Sequence, residues 1–249
     1  MKLRLAVCAI ALAASACSPA PAPETEGAAG GATPAAAKRM PLPDCATVEA
    51  EDAGADGWKH PDCRLMFADQ SGMAIEARYT PAEDESTQIK VQVVAAGDAT
   101  LQVIDERMGN TFNGPSLEDF DKDGKLDILL PLETGNVNTT WAVWRQVDAG
   151  KFVRAGEPSG VSLEKTESGY IAAPARSSAN AWSVAFYKLE ADALQPIATA
   201  EITALGEPDK ITGTECLVTD DGGIVAAGLT PDTAKAQFCA EKVVTEIFK

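Results

Sequence analysis

Apolar and polar residues alternate along much of the chain beyond position 70, the period of strands with one buried face. The clearest runs are 73–79 (Met-Ala-Ile-Glu-Ala-Arg-Tyr), 88–94 (Gln-Ile-Lys-Val-Gln-Val-Val) and 100–104. Gly97 and Asp98 sit between the last two and predict a hairpin turn. Further strands are predicted over 126–130, 139–144, 151–154, 170–173, 182–187, 194–202 and 216–219. Turn residues punctuate them at short intervals, the rhythm of an antiparallel β-propeller-like or sandwich domain. One helix start is legible: Thr230 as N-cap, Pro231 in the first turn and Asp232 beside it. That helix should reach Cys239 and lie near the strand carrying Cys216. Residues 243–248 fit a helix or a last strand equally. The expected fold is therefore mainly β with one C-terminal helix.

The first forty residues follow other rules. Met1-Lys2-Leu3-Arg4 is a short basic start, and the run 5–16 is uncharged and too short to span a bilayer, which needs about 20 apolar residues. It ends in Ala14-Ser15-Ala16 directly before Cys17, so 1–16 reads as a bacterial export signal. A cysteine at that position makes the segment a lipobox, with Cys17 lipidated and Ser18 favouring the outer membrane. Secretion without lipid, after cleavage at the same bond, is the alternative. Residues 17–44, rich in Pro, Ala and Gly, cannot bury a core and read as a disordered tether; 45–249 would then form the folded domain. On this reading the protein sits in the periplasm and meets the membrane only through its anchor.

Cysteine usage fits an oxidising compartment. Cys8 leaves with the signal and Cys17 takes the lipid, leaving Cys45, Cys63, Cys216 and Cys239. Of the three possible pairings, the local one, Cys45–Cys63 and Cys216–Cys239, is preferred. Each bridge would close a loop of about 20 residues and constrain the unfolded chain by roughly 3 kcal/mol. Zinc is the rival use, but the spacings are wide and there is no CxxC.

Composition narrows the partners. The 249 residues carry 37 Asp plus Glu against 21 Lys plus Arg, a formal charge of −16, and removal of Lys2 and Arg4 with the signal makes it more negative. Nucleic-acid binding needs clustered base and is excluded. The one histidine, His60, removes most triad and His-rich metal chemistry. It falls with Trp58 inside the predicted Cys45–Cys63 loop, where His60 is expected to be solvated and Trp58 constrained. Trp141, Trp144 and Trp182 lie in predicted strands and are expected in the core.

One motif carries specific chemistry. Residues 119–127 spell Asp-Phe-Asp-Lys-Asp-Gly-Lys-Leu-Asp, a D-x-D-x-D-G-x-x-D loop. Carboxylates at alternate positions can converge on one hard cation. Gly124 permits a left-handed turn, after which the Lys125 carbonyl and Asp127 can complete an oxygen shell. The expected ligand set for Ca²⁺ is Asp119, Asp121, Asp123, Lys125 and Asp127, in a structural role; a solvated acidic turn is the alternative. An EF-hand would need an acid at the twelfth position, which is Leu130, and 126–130 reads as a strand. Glu118 is expected to face solvent. Asp220-Asp221-Gly222-Gly223 lacks the alternate spacing and reads as a hairpin loop.

The loop and its strand resemble the calcium element of FG-GAP and VCBS-type β-repeats, present once rather than in series. The order that follows, Gly135-Asn136, the strand at Trp141–Trp144, Lys151-Phe152, Leu163, Ala175-Arg176, 182–187 and 194–197, is similar to periplasmic immunity lipoproteins of antibacterial type IV secretion effectors. It is also similar to their lysozyme-inhibitor-like relatives. The resemblance spans roughly 102–202 and implies a small calcium-containing, propeller-like β-domain that binds and blocks a peptidoglycan hydrolase. The family's loop commonly has Asn and an aromatic where this chain has Asp121 and Lys125, which keeps the ion ligands. No short motif transfers the inhibitory contacts. The leading expectation is a non-enzymatic immunity or lysozyme-inhibitor lipoprotein with a basic peptidoglycan hydrolase as partner. The alternative is a calcium-stabilised envelope binding or structural module, and a metal-assisted hydrolase is third, without a nucleophile-elbow or HExxH pattern.

Overall fold

The computed structural model describes residues 41–54, 57–82, 86–207 and 210–249. The predicted signal 1–16, Cys17 and the tether as far as residue 40 lie outside the described residues. No described helix is long and apolar enough to cross a membrane. A 3-10 turn at Cys45–Thr47 is capped by the Asp44 carboxylate, which accepts from the Ala46 N–H at 2.9 Å. Asp44 also bridges to Arg64, so residue 44 is already tied to the domain.

The chain then runs through β1 (Glu51–Asp52) and β2 (Trp58–Lys59), a two-stranded ribbon, and into three up-and-down meanders. The first holds β3 (Cys63–Met66), β4 (Ala74–Pro81), β5 (Thr87–Val94) and β6 (Thr100–Met108) in sequence order. The second holds β7 (Ser116–Glu118), β8 (Asp127–Thr134), β9 (Thr139–Asp148) and β10 (Lys151–Gly156), with β11 (Ser159–Gly160) also on β9. The third holds β12 (Glu164–Lys165), β13 (Ile171–Arg176), β14 (Ala181–Glu190), β15 (Ala193–Glu207) and β16 (Lys210–Asp220). Helices α1 (Pro231–Phe238) and α2 (Lys242–Thr245) follow. Every pairing between these strands is antiparallel, and each sheet is open, so the mainly-β expectation holds.

The strand period explains how the sheets stack. On β8, Ile128 and Leu130 point to one face and pack with Ile75, Val91 and Ile104 of the first sheet. Leu129, between them, points to the other face and packs with Ile171, Ala173 and Leu194 of the third. Ala142 and Val143 divide in the same way on β9. The second sheet is thus covered on both sides, and β8 reads as a continuous apolar run because both of its faces are buried. Pro131 is tolerated in this central strand where the register with β9 shifts, between Pro131 and Glu133. The outer face of the third sheet, with Val184, Phe186, Ala198, Ala200 and Ile202, is covered by Ala234 and Phe238 of α1 and Val244 of α2. Three sheets and a helical cap therefore lie as successive layers, a sandwich-like arrangement.

Helix α1 begins as its sequence predicts. The Thr230 hydroxyl accepts from the Thr233 N–H at 3.2 Å, and the Thr233 hydroxyl accepts from the Thr230 N–H at 2.8 Å, a capping box with Thr in the usual Glu place. The ambiguous 243–248 segment resolves as the short helix α2 followed by a turn. Disulfides join Cys45 to Cys63 and Cys216 to Cys239, the local pairing. The second clasps edge strand β16 to the end of α1. Two expectations are corrected. Residues 220–223 are not a hairpin loop: Asp220 ends β16, and its carboxylate accepts from the N–H groups of Gly222 and Ile224 to start the turn toward α1. His60 is not solvated: it is half-buried, stacked on Tyr79 with ring centroids 4.9 Å apart.

Candidate metal centre

The acidic loop is the connection between β7 and β8, closed by the pairing of Glu118 with Asp127. Phe120 is its anchor, 2% exposed in the core between the second and third sheets. Leu126 packs against the core on the opposite side of the second sheet. Held at both ends, the intervening chain must turn tightly, and Lys122 and Gly124 both take positive φ, at 57° and 87°. Glycine adopts this backbone freely, whereas Lys122 costs about 1–2 kcal/mol. Gly124 is legible in the sequence as a turn residue, whereas Lys122 carries no such signal.

The turn folds the loop's amide N–H groups onto its own carboxylates. Asp119 Oδ1 accepts from the Asp123 N–H at 3.0 Å and Asp119 Oδ2 from the Gly124 N–H at 3.1 Å. Asp121 Oδ1 accepts from the Asp123 N–H at 3.0 Å, and Asp123 Oδ1 from the Lys125 N–H at 2.9 Å. Oxygens of Asp119, Asp121 and Asp127 approach within 4.8 Å of one another, so three of the four predicted carboxylate ligands converge. The fourth is turned elsewhere: Asp123 Oδ2 accepts from Lys125 Nζ at 2.9 Å and from an Arg145 nitrogen at 2.6 Å. Burial pulls the Asp123 carboxyl upward, but the bonds and charge of Lys125 and the charge of Arg145 outweigh it and leave it below the usual range. Glu118 is exposed, as expected.

Several participants carried no sequence signal. Arg145, on β9, also donates to Asp121 Oδ2 at 2.5 Å and to Asp192 Oδ1 at 2.6 Å, joining the loop to the β14–β15 turn. Lys165 Nζ donates to the Asp121 carbonyl at 2.7 Å. The Gln146 N–H donates to Asp127 Oδ1 at 2.8 Å. These residues come from strands distant in sequence, and only strand pairing brings them to the loop.

Asp127 is the most demanding group. It is fully buried, and its Oδ2 is without a hydrogen-bond partner among the described residues, although one unpaired buried carboxylate costs several kcal/mol. Burial pushes its carboxyl up to about 7, with the charges of Asp121 and Asp123 adding to the shift and the Gln146 N–H opposing it. Near neutral pH burial favours a proton on this group or a cation beside it. An all-oxygen set of carboxylates around an orphaned buried oxygen fits a hard divalent cation such as Ca²⁺, with Asp119, Asp121 and Asp127 as its nearest side chains.

No protein-family model matches the chain, and no curated protein matches it. Among solved structures, a Xanthomonas type IV secretion system related protein is similar at 11% identity and a TM-score of 0.44, over 70% of this chain and 95% of that one.

Proposed function

We propose that this protein is an exported, lipid-anchored, calcium-stabilised binding protein that inhibits a basic peptidoglycan hydrolase. The observation that carries the calcium part is Asp127 Oδ2, buried without a partner among the described residues and beside Asp119 and Asp121. The ion has a structural role: it fixes the entrance to β8, whose residues belong to two cores, and so rigidifies the layers that present the binding surface. Asp123 and the Lys125 carbonyl are the further oxygens that the loop's spacing would offer such an ion.

The inhibitory part rests on the resemblance of 102–202 to immunity lipoproteins and on charge. A net charge of −16 favours encounter with a basic partner, since complementary fields speed association and select among partners. A lipidated Cys17 would hold the domain in the periplasm, where such hydrolases act. Purified protein mixed with basic hydrolases on a cell-wall suspension tests this directly. Turbidity loss should slow at micromolar protein, and clearing at an undiminished rate with every hydrolase would refute inhibition while leaving calcium binding standing.

A further inference from the structure

A cavity of about 370 Å³ lies beside the Cys45–Cys63 disulfide, and none of the acidic loop's residues 119–127 is among its described lining. Its four aromatic walls come from three separate segments: Trp58 on β2 with His60 just after it, Tyr79 on β4, and Phe112 in the link between β6 and β7. Trp58 and Phe112 sit 5.6 Å apart at an interplanar angle of 59°, so their faces are splayed and not stacked shut. His60 and Tyr79 form a stacked pair with an interplanar angle of 22°. Phe112 is 49% exposed, which leaves part of its ring open to an incoming group.

The polar groups decide what this cavity can hold. His60 Nε2 lies 2.8 Å from the Thr111 carbonyl, so that nitrogen carries the hydrogen and donates it. Burial lowers the His60 pKa against the raising effect of that bond, which keeps the ring neutral. Asn113 spends its amide N–H groups on the hydroxyls of Thr134 and Thr139, each at 3.2 Å. Glu49 is exposed at the rim and is the one formally charged side chain among the described lining residues. No lysine or arginine is among the described lining residues, so there an anion would meet a carboxylate and no counter-charge. Aromatic faces joined to a carboxylate match a cation on an apolar stem, which gains cation–π attraction and keeps its hydrogen-bond acceptors.

We infer that this cavity receives an arginine or lysine side chain presented by a protein partner. The inference deepens the proposed function, on whose basic partner it rests, by giving that partner a receptor distinct from the acidic loop. A guanidinium or ammonium would lie against Trp58, Tyr79 and Phe112 with Glu49 at the mouth. The disulfide and the Asn113 bonds hold the walls in place before the side chain arrives, which reduces the ordering cost of binding.

The test is a nuclear magnetic resonance titration of the full chain with N-acetyl-arginine methylamide and N-acetyl-lysine methylamide. The Trp58 indole N–H, assigned with Trp58→Phe, should shift saturably in the millimolar range. N-acetyl-norleucine methylamide, which keeps the stem and lacks the charge, should bind at least tenfold more weakly. Glu49→Gln should weaken arginine binding about threefold or more, and Phe112→Ala should abolish it, both side chains being exposed enough for the variants to fold. Equal shifts with norleucine would reduce the cavity to an apolar slot, and a response to N-acetylglucosamine in place of arginine would make it a sugar platform. Either result overturns the inference, as does no shift with any probe. Hydrolase inhibition undiminished in Phe112→Ala would separate the proposed function from this site. Arginine binding by a protein that inhibits no hydrolase would keep the site and change the partner.

Discussion

At the scale of single residues, the acidic loop is a balance between buried negative charge and whatever cation is at hand. Arg145 supplies part of that cation, with nitrogens on Asp121, Asp123 and Asp192 and only 16% of its side chain exposed. Arg145→Ala should destabilise the chelator-treated protein by about 1–3 kcal/mol, because it strips charged hydrogen bonds from partly buried carboxylates. Asp127 gives a pH signature. Its folded-state carboxyl titrates near 7, above the ordinary carboxylate range, so between about pH 4 and 7 the folded chain holds a proton that the unfolded chain has released. The stability this contributes is complete at acid pH and is lost as pH rises through about 7. In chelator, urea midpoints should therefore fall across that window, and Asp127→Asn, which retains an oxygen for the Gln146 N–H, should flatten this part of the profile. An unchanged slope in the variant would assign the pH dependence to other groups. The spacing of Asp119, Asp121, Asp123 and Asp127 was legible because ligand alternation is a local property. Arg145, Lys165 and Gln146 were not, because they reach the loop only through pairing of strands and stacking of sheets.

At the scale of elements, the strands and turns were read well where one face is polar. The alternation in 73–79 and 88–94 matches β4 and β5, and Gly97-Asp98 does turn the chain into β6, with Asp98 at φ 62°. Lengths were underestimated where alternation fades: 194–202 and 216–219 are the inner parts of β15 and β16, which run on as a hairpin whose outer strand is largely exposed. Polar and small residues there follow no period because that part of the hairpin is largely exposed on both faces. The helix start at Thr230 was legible from capping chemistry alone, and Thr230→Ala should cost about 1 kcal/mol by removing that cap. The Cys216–Cys239 bridge ties this helix to the exposed edge strand. Replacing both cysteines by serine should lower stability by roughly 3 kcal/mol. Amide exchange should quicken first in β16 and α1, and uniform acceleration across all three sheets would show that the clasp is not local. His60 was misjudged because a lone polar residue near Gly and Pro looks solvated, whereas the folded chain lays it on Tyr79, a contact between segments with no shared motif.

At the scale of the whole molecule, three sheets in series share one central sheet, and the acidic loop enters that sheet's doubly covered strand. A local event in the loop should therefore be felt globally. If Cys17 is lipidated, Cys17→Ser should move the protein from the membrane to the soluble fraction without altering its melting temperature. Continued membrane association of the variant would contradict the anchor. The most direct test of the central claim is thermal unfolding of the chelator-stripped protein with and without added Ca²⁺, alongside Asp127→Asn. At calcium near one hundred times its dissociation constant, binding should stabilise the fold by about 2.7 kcal/mol and raise Tm by about 5–10 °C, with no rise in the variant. Identical melting curves for the wild-type protein in calcium and in chelator would contradict the claim that a cation holds this loop.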